Sequence, residues 1–190
     1  MFKEIKMTEL NKFQIIPAIA DGSCMFHSIL QAFNKTYNTL DNNNKKAMVR
    51  EFRNNLSDVL EEEINGDIIY NKLSRGELKE FSKFYPPASL KVMQKDLKNN
   101  TWGDFRFLEL MSEILDLNIF IIDKTKSDIY QTGDKELLYK DRDSIIILNT
   151  NNIHFDTIGL KTKHGVKTLF NKNDPVVKLM LSKMYKEYTK

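Results

Sequence analysis

Up to Leu115, apolar residues recur mostly at three- and four-residue intervals; after it, they gather into short β-branched runs. The first exception to helical spacing is FQIIPAI, residues 13–19, which reads as a short extended segment because Pro17 has no N–H and biases the residue before it toward extended conformations. After it, Met25, Ile29, Ala32 and Phe33 make one apolar stripe on a helix that begins at Cys24 and fades near Asn34. A longer helix is predicted over 43–64, carrying Val49, Phe52, Leu56, Val59, Leu60 and Ile64, with Asn65-Gly66 as its stop. Shorter helices follow at 75–84 and 88–98 on either side of Pro86-Pro87, and Asp104 caps one bearing Phe105, Leu108, Met111 and Leu115.

From Leu117 the pattern is that of strands. LNIFIID and SIIILNT are buried runs, and between them SDIYQTGDKELLYKD carries a turn at Thr132-Gly133-Asp134 flanked by two weaker, more polar strands. Helices first and clustered strands afterwards argue for an α+β domain, with helices packed against a small, largely antiparallel sheet. Residues 1–160 form this domain. Residues 161–190 read as a polar connector and a final helix opened by Asp174-Pro175, whose Val176, Val177, Met180, Met184 and Tyr188 form a face that docks on the same core.

Composition narrows the function classes. With 190 residues, 41% of them hydrophobic, one folded core is expected. Basic and acidic residues number 29 and 26 and are interspersed, so nothing suggests a nucleic-acid partner. The N-terminus MFKEIKMTELNKF lacks the apolar core of a signal peptide, and LNIFII is too short to span a bilayer, so a cytoplasmic protein with no membrane partner is expected. One cysteine and three histidines supply almost no ligand set for a structural metal, and none is expected.

The chemistry concentrates in two places. In ADGSCMFHSIL, Cys24 stands at a helix start, where unpaired N–H groups and the positive end of the helix dipole favour a thiolate. The N–H groups of Asp21, Gly22, Ser23 and Cys24 could converge on an oxyanion. The alternative is a cysteine packed as a small hydrophobe. In NNIHFDTI, strand alternation points His154 and Asp156 the same way while Ile153 and Phe155 face the core, so the carboxylate can orient the imidazole; the alternative is a surface hairpin whose polar face happens to carry both. A cysteine on an early helix and a histidine on a late strand follow the order of papain-like enzymes.

Asp21-Gly22-Ser23-Cys24-Met25-Phe26-His27-Ser28 resembles the cysteine box of the ovarian-tumour (OTU) family of deubiquitinating cysteine proteases. Trp102-Gly103-Asp104 ahead of Leu108 and Ser112 is similar to the family's middle element, and Asn151 to Asp156 to its terminal Asn-x-x-His-aromatic-Asp strand. The resemblance covers residues 14–158. It implies a papain-like OTU fold, no cofactor, Cys24 as nucleophile, His154 as general base and then acid, and Asp156 as the residue orienting His154. Asp21 matches a family aspartate once treated as the triad acid. A charge there would oppose thiolate formation, so Asp21 is expected to cap the helix rather than face the sulfur.

Trp102 would bound the cleft near His154, with a place in the core as its alternative. His27 is expected to be solvated or locally hydrogen-bonded, His164 exposed and inert. Phe107 stands where the family often has an acidic residue, which bears on local packing. The implied activity is hydrolysis after the C-terminal glycine of ubiquitin or a ubiquitin-like modifier, through a thioester, by a monomer. The rivals are an idle ubiquitin-binding module of the same fold and another Cys-His-Asp peptidase or acyltransferase. Heavy Asn, Lys and Ile usage hints at a virus or intracellular bacterium acting in host cytoplasm.

Overall fold

The β-branched runs are apolar at consecutive positions, so strands built from them must be covered on both faces. In the computed structural model, which describes residues 12–76, 88–99, 101, 105–124, 128–131, 142–151 and 153–188, they are. β1 (Phe13–Ile16), β4 (Asn118–Asp123), β5 (Asp128–Gln131), β6 (Ser144–Thr150) and β7 (His154–Thr162) form one sheet in the order β1-β7-β6-β4-β5. β4 and β6 are parallel; the other neighbours in that order are antiparallel.

Alternation divides the strand residues between two cores. Ile119, Ile121, Ile145, Ile147 and Phe155 pack with the helices α1 (Cys24–Phe33), α3 (Asn42–Val59), α5 (Leu90–Lys98) and α6 (Phe105–Ile114). Phe120, Ile146, Leu148 and Ile158 join Val176, Val177 and Met180 of α7 (Pro175–Tyr188) on the other side. Each fully buried side chain of this size contributes about 1.5–3 kcal/mol relative to exposure, so both coverings matter. Phe107 is fully buried, its ring 6.0 Å from that of Phe26, so the aromatic here serves the packing.

Several elements differ from the sequence reading. The long helix ends at Val59 rather than 64, and Glu63–Ile64 (β2) pairs with Asp67–Ile68 (β3) across Asn65-Gly66. Both turn residues have positive φ, 55° and 80°, so the Asn-Gly pair makes a hairpin turn instead of a helix stop. Ile64 is consequently exposed. Two short helices complete this half: α2 (Lys35–Thr39), capped by Asn34, and α4 (Ile69–Gly76). Ser89 caps α5.

The segment read as a polar connector carries strands: β8 (Gly165–Lys167) pairs with β7, and β9 (Leu169–Phe170) pairs with β6. Gly159 of β7 permits this, because a Cβ there would run into Val166 and sit 3.2 Å from the Lys167 carbonyl oxygen. Asp104 as a cap, the turn at 132–134 and most of the helix expected at 75–84 lie outside the described residues.

Candidate active site

The nucleophile's loop is shaped by Gly22, whose φ of 84° lies in the left-handed region that a Cβ disfavours. The turn carries the chain from Asp21 into α1, which begins at Cys24. Ser23 occupies the N-cap position, yet its hydroxyl makes no cap; Asp21 Oδ1 instead accepts the Ser23 N–H at 3.0 Å. The Asp21 N–H is also engaged, with the Ile19 carbonyl at 3.2 Å. Of the four N–H groups expected around an oxyanion, those of Asp21 and Ser23 are thus already used within the loop and that of Cys24 acts on its own sulfur, which leaves Gly22 for that task.

Cys24 is 8% exposed, and its thiol donates toward the Ile153 carbonyl at 3.9 Å. Burial pushes the thiol up from its ordinary value, and the charge of Asp156 adds to that. Main-chain hydrogen bonds from Phe155, Met25 and Cys24 itself act in the opposite direction. The sulfur therefore lies against the main chain on both sides of His154, with its hydrogen directed at a carbonyl rather than at the imidazole.

His154 is the first residue of β7, and its Nε2 lies 2.9 Å from Asp156 Oδ1. The same oxygen accepts the Ala18 N–H at 3.0 Å. This arrangement follows from the edge of the sheet. β1 pairs with β7 only as far as Ile16 opposite Thr157, and Pro17 has no donor with which to continue the ladder. The next N–H, that of Ala18, turns onto Asp156. With Nε2 engaged, Nδ1 is the ring nitrogen left for the thiol. Thr157 ties the two halves together one residue later, its hydroxyl donating to the Ser28 carbonyl of α1 at 2.7 Å. Ile153, expected to face the core, is instead 57% exposed: Asn151, with φ 56°, turns the chain just before it, and β7 starts one residue after it.

Asp21 faces a different histidine. Its Oδ2 lies 3.1 Å from His27 Nε2, and His27 Nδ1 lies 2.7 Å from the Tyr37 hydroxyl. His27 is locally hydrogen-bonded, as one reading had it, but fully buried rather than solvated. Burial pushes the His27 pKa below its ordinary value, with Asp21 opposing, and pushes that of Tyr37 up to about 12. A neutral imidazole satisfies both contacts, donating from Nε2 to the carboxylate and accepting the tyrosine O–H at Nδ1.

The fold thus brings Cys24, His154 and Asp156 to one place, while Asp21 holds the Ser23 N–H ahead of the helix and pairs with His27. Trp102 lies outside the described residues, and His164 is exposed. Three contributors escaped the sequence reading: the Ala18 N–H, Tyr37 and Arg53. The last carried a signal, a cation between Val49 and Leu56 on the apolar stripe of α3. Among the described residues no group of three or more His, Cys, Asp or Glu could hold a metal ion, and no helix is long and apolar enough to cross a membrane.

Comparison with known proteins places this geometry in context. The family model of OTU-like cysteine proteases matches residues 19–155. The ubiquitin thioesterase OTU1 of Saccharomyces cerevisiae is 26% identical over 170 residues, which is 87% of this chain but 44% of that protein, so the chain spans less than half of its length. Among solved structures, an OTU domain in complex with ubiquitin superposes with a TM-score of 0.59 at 23% identity, over 90% of this chain and 81% of that one. The viral OTU domain protease of Taggert virus gives 0.52 at 15% identity, over 80% and 83%. Both likenesses establish the α+β fold expected from the sequence.

Proposed function

Because the chain belongs to the family of OTU-like cysteine proteases, we propose that it is a deubiquitinase, hydrolysing the peptide or isopeptide bond after the C-terminal glycine of ubiquitin or a ubiquitin-like modifier. The supporting observation is the seating of the Cys24 sulfur against the main chain on either side of His154, whose Nε2 is held by Asp156. The yeast relative's being a ubiquitin thioesterase supports the choice of substrate.

In this reading His154 Nδ1 takes the thiol proton as Cys24 Sγ attacks the glycine carbonyl carbon. The Gly22 N–H group stabilises the resulting oxyanion. Collapse breaks the C–N bond, His154 returns the proton to the departing lysine amine, and water activated by the same imidazole resolves the thioester. Asp156 fixes the tautomer and stabilises the imidazolium. Asp21 holds the loop and takes no part in proton transfer. The chemistry calls for no cofactor and for a reduced thiol, which suits a monomer working in cytosol. Residues 161–188 belong to the same catalytic unit in this reading, since β8 and β9 extend the sheet and α7 covers it.

The test is a ubiquitin probe with a C-terminal electrophile, applied to the wild-type chain and to Cys24→Ala, followed by a panel of diubiquitins. A covalent adduct on wild type alone, with diubiquitin cleavage, is the expected result. Tight binding without an adduct would make the chain an idle ubiquitin-binding module. Neither binding nor adduct would point to another substrate for the same thiol chemistry.

A further inference from the structure

Arg53 is the largest fully buried side chain among the described residues, and no carboxylate lies within ion-pair distance of it in the described structure. A guanidinium taken out of water is destabilising unless its donors are satisfied. Here they are spent on two parts of the chain. Nε donates to the Leu97 carbonyl at 2.9 Å, while Nη2 donates to the Asp96 and Thr101 carbonyls at 2.8 Å each. Nη1 donates to Ser23 Oγ at 3.0 Å, and the guanidinium carbon sits 4.4 Å over the ring of Phe26. Burial lowers its pKa to about 10, still far above neutrality, and Asp21 is the main charge that favours keeping the proton.

The grip on Ser23 is the informative contact. An N-cap serine ordinarily turns its hydroxyl onto the N–H groups of its own helix. Here the hydroxyl faces Arg53, and the carboxylate of Asp21 accepts the N–H of Ser23 itself. Ser23 is therefore held from both sides, its N–H by Asp21 and its hydroxyl by a cation anchored to the C-terminal end of α5 and to Thr101. The next N–H groups along, those of Cys24 and Met25, act on the sulfur together with that of Phe155. Their aim depends on where Ser23 is fixed.

We propose that Arg53 is a positioning residue for the nucleophile: by clamping Ser23 to the α5–Thr101 segment it holds the loop so that the Cys24 and Met25 N–H groups point at the sulfur and the Gly22 N–H at a substrate oxyanion. The part concerning the oxyanion rests on the deubiquitinase reading; the part concerning the sulfur does not. Only an arginine offers a fork that reaches a hydroxyl and three carbonyls at once.

The obvious variant, Arg53→Met, removes the donor from three carbonyls, that of Leu97 buried, and confounds folding with function. Ser23→Ala is the deciding one, because it removes the clamped hydroxyl while keeping the backbone, the cation and the core. Three quantities are measured on the whole chain: melting temperature, kcat and KM on a fluorogenic ubiquitin C-terminal amide, and the rate of Cys24 alkylation by iodoacetamide at pH 8. Since Cys24 is the only cysteine, alkylation reports it alone. Ser23→Ala is expected to lower kcat about tenfold with KM held within about twofold, the scale of a small misplacement of reacting groups, and to slow alkylation by about threefold or more, both read well below a melting temperature that the unpaired Nη1 donor lowers. Wild-type kcat and alkylation in Ser23→Ala would overturn the proposal and leave Arg53 a strut. If the wild-type chain fails to turn over ubiquitin at all, the deubiquitinase reading falls, and alkylation alone still decides whether Arg53 positions the thiol.

Discussion

One oxygen of Asp156 binds two partners: Oδ1 lies 2.9 Å from His154 Nε2 and 3.0 Å from the Ala18 nitrogen, so the carboxylate that orients the imidazole is itself held by the chain leaving the edge strand. Asp21, the other aspartate near the nucleophile, spends its two oxygens on the Ser23 N–H and on His27. The two carboxylates therefore have separable roles. Asp156→Asn keeps the shape and the Ala18 contact but loses the charge that stabilises the imidazolium, and kcat is expected to fall by about 10² or more. Asp21→Asn is expected to reduce kcat by less than about tenfold, and to act mainly through the loop. Steady-state turnover of both variants checks this; the reverse ranking at matched stability would make Asp21 the triad acid.

The thiol is a thiol at rest. Its hydrogen points to the Ile153 carbonyl, and burial holds its pKa above the ordinary value. Alkylation of Cys24 in the free protein is therefore expected to keep accelerating above pH 8, with no plateau near pH 6 of the kind a preformed thiolate–imidazolium pair would give. The same shift has a consequence for stability. Between the unfolded value near 9 and the raised folded value, the folded chain retains a proton that the unfolded chain has lost, so stability declines as pH rises through that window. Cys24→Ser should flatten the decline in urea denaturation.

His27 predicts the opposite dependence at the acid end. Its folded pKa lies below the ordinary 6.5, so from about that pH downward the unfolded chain binds a proton that the folded chain refuses. Stability is complete above 6.5 and falls as pH drops toward the folded value. Urea midpoints at pH 7 and pH 5 should show the loss, reduced in His27→Gln. Tyr37→Phe, which removes the partner of Nδ1, is expected to cost about 1–3 kcal/mol at pH 7 as a stranded buried acceptor. An unchanged midpoint in that variant would mean that water replaces the hydroxyl.

How much of this was written in the sequence depends on the range of the interaction. The start of α1 at Cys24, its end at Asn34 and both long strands followed from spacing alone, because local periodicity decides them. Asn65-Gly66 misled because the pair suits a helix stop as well as a hairpin turn, and pairing between Glu63–Ile64 and Asp67–Ile68 is what chooses. The pairing of His154 with Asp156 was legible from a two-residue offset. The partners of Asp156 and Ser23 were not: Ala18 and Arg53 lie 138 and 30 positions away, and only tertiary packing brings them in. Arg53 on an apolar stripe was a visible anomaly without a visible partner.

The placement of Ile153 carries the last prediction. It is a large apolar side chain, 57% exposed, on the residue whose carbonyl receives the thiol hydrogen. The backbone explains its position, since the turn at Asn151 and the late start of β7 put it ahead of the sheet's cover. A peptide that brings a carbonyl carbon to Cys24 is expected to pass close to this side chain, and burying apolar surface there favours the bound state at about 25 cal/mol per Å². Ile153→Ser retains the carbonyl and removes the apolar surface. KM for a ubiquitin substrate is expected to rise severalfold while kcat and melting temperature stay near wild type, the signature of lost uniform binding. If kcat falls instead and KM holds, the side chain serves the geometry of His154, and the peptide reaches the sulfur from another direction.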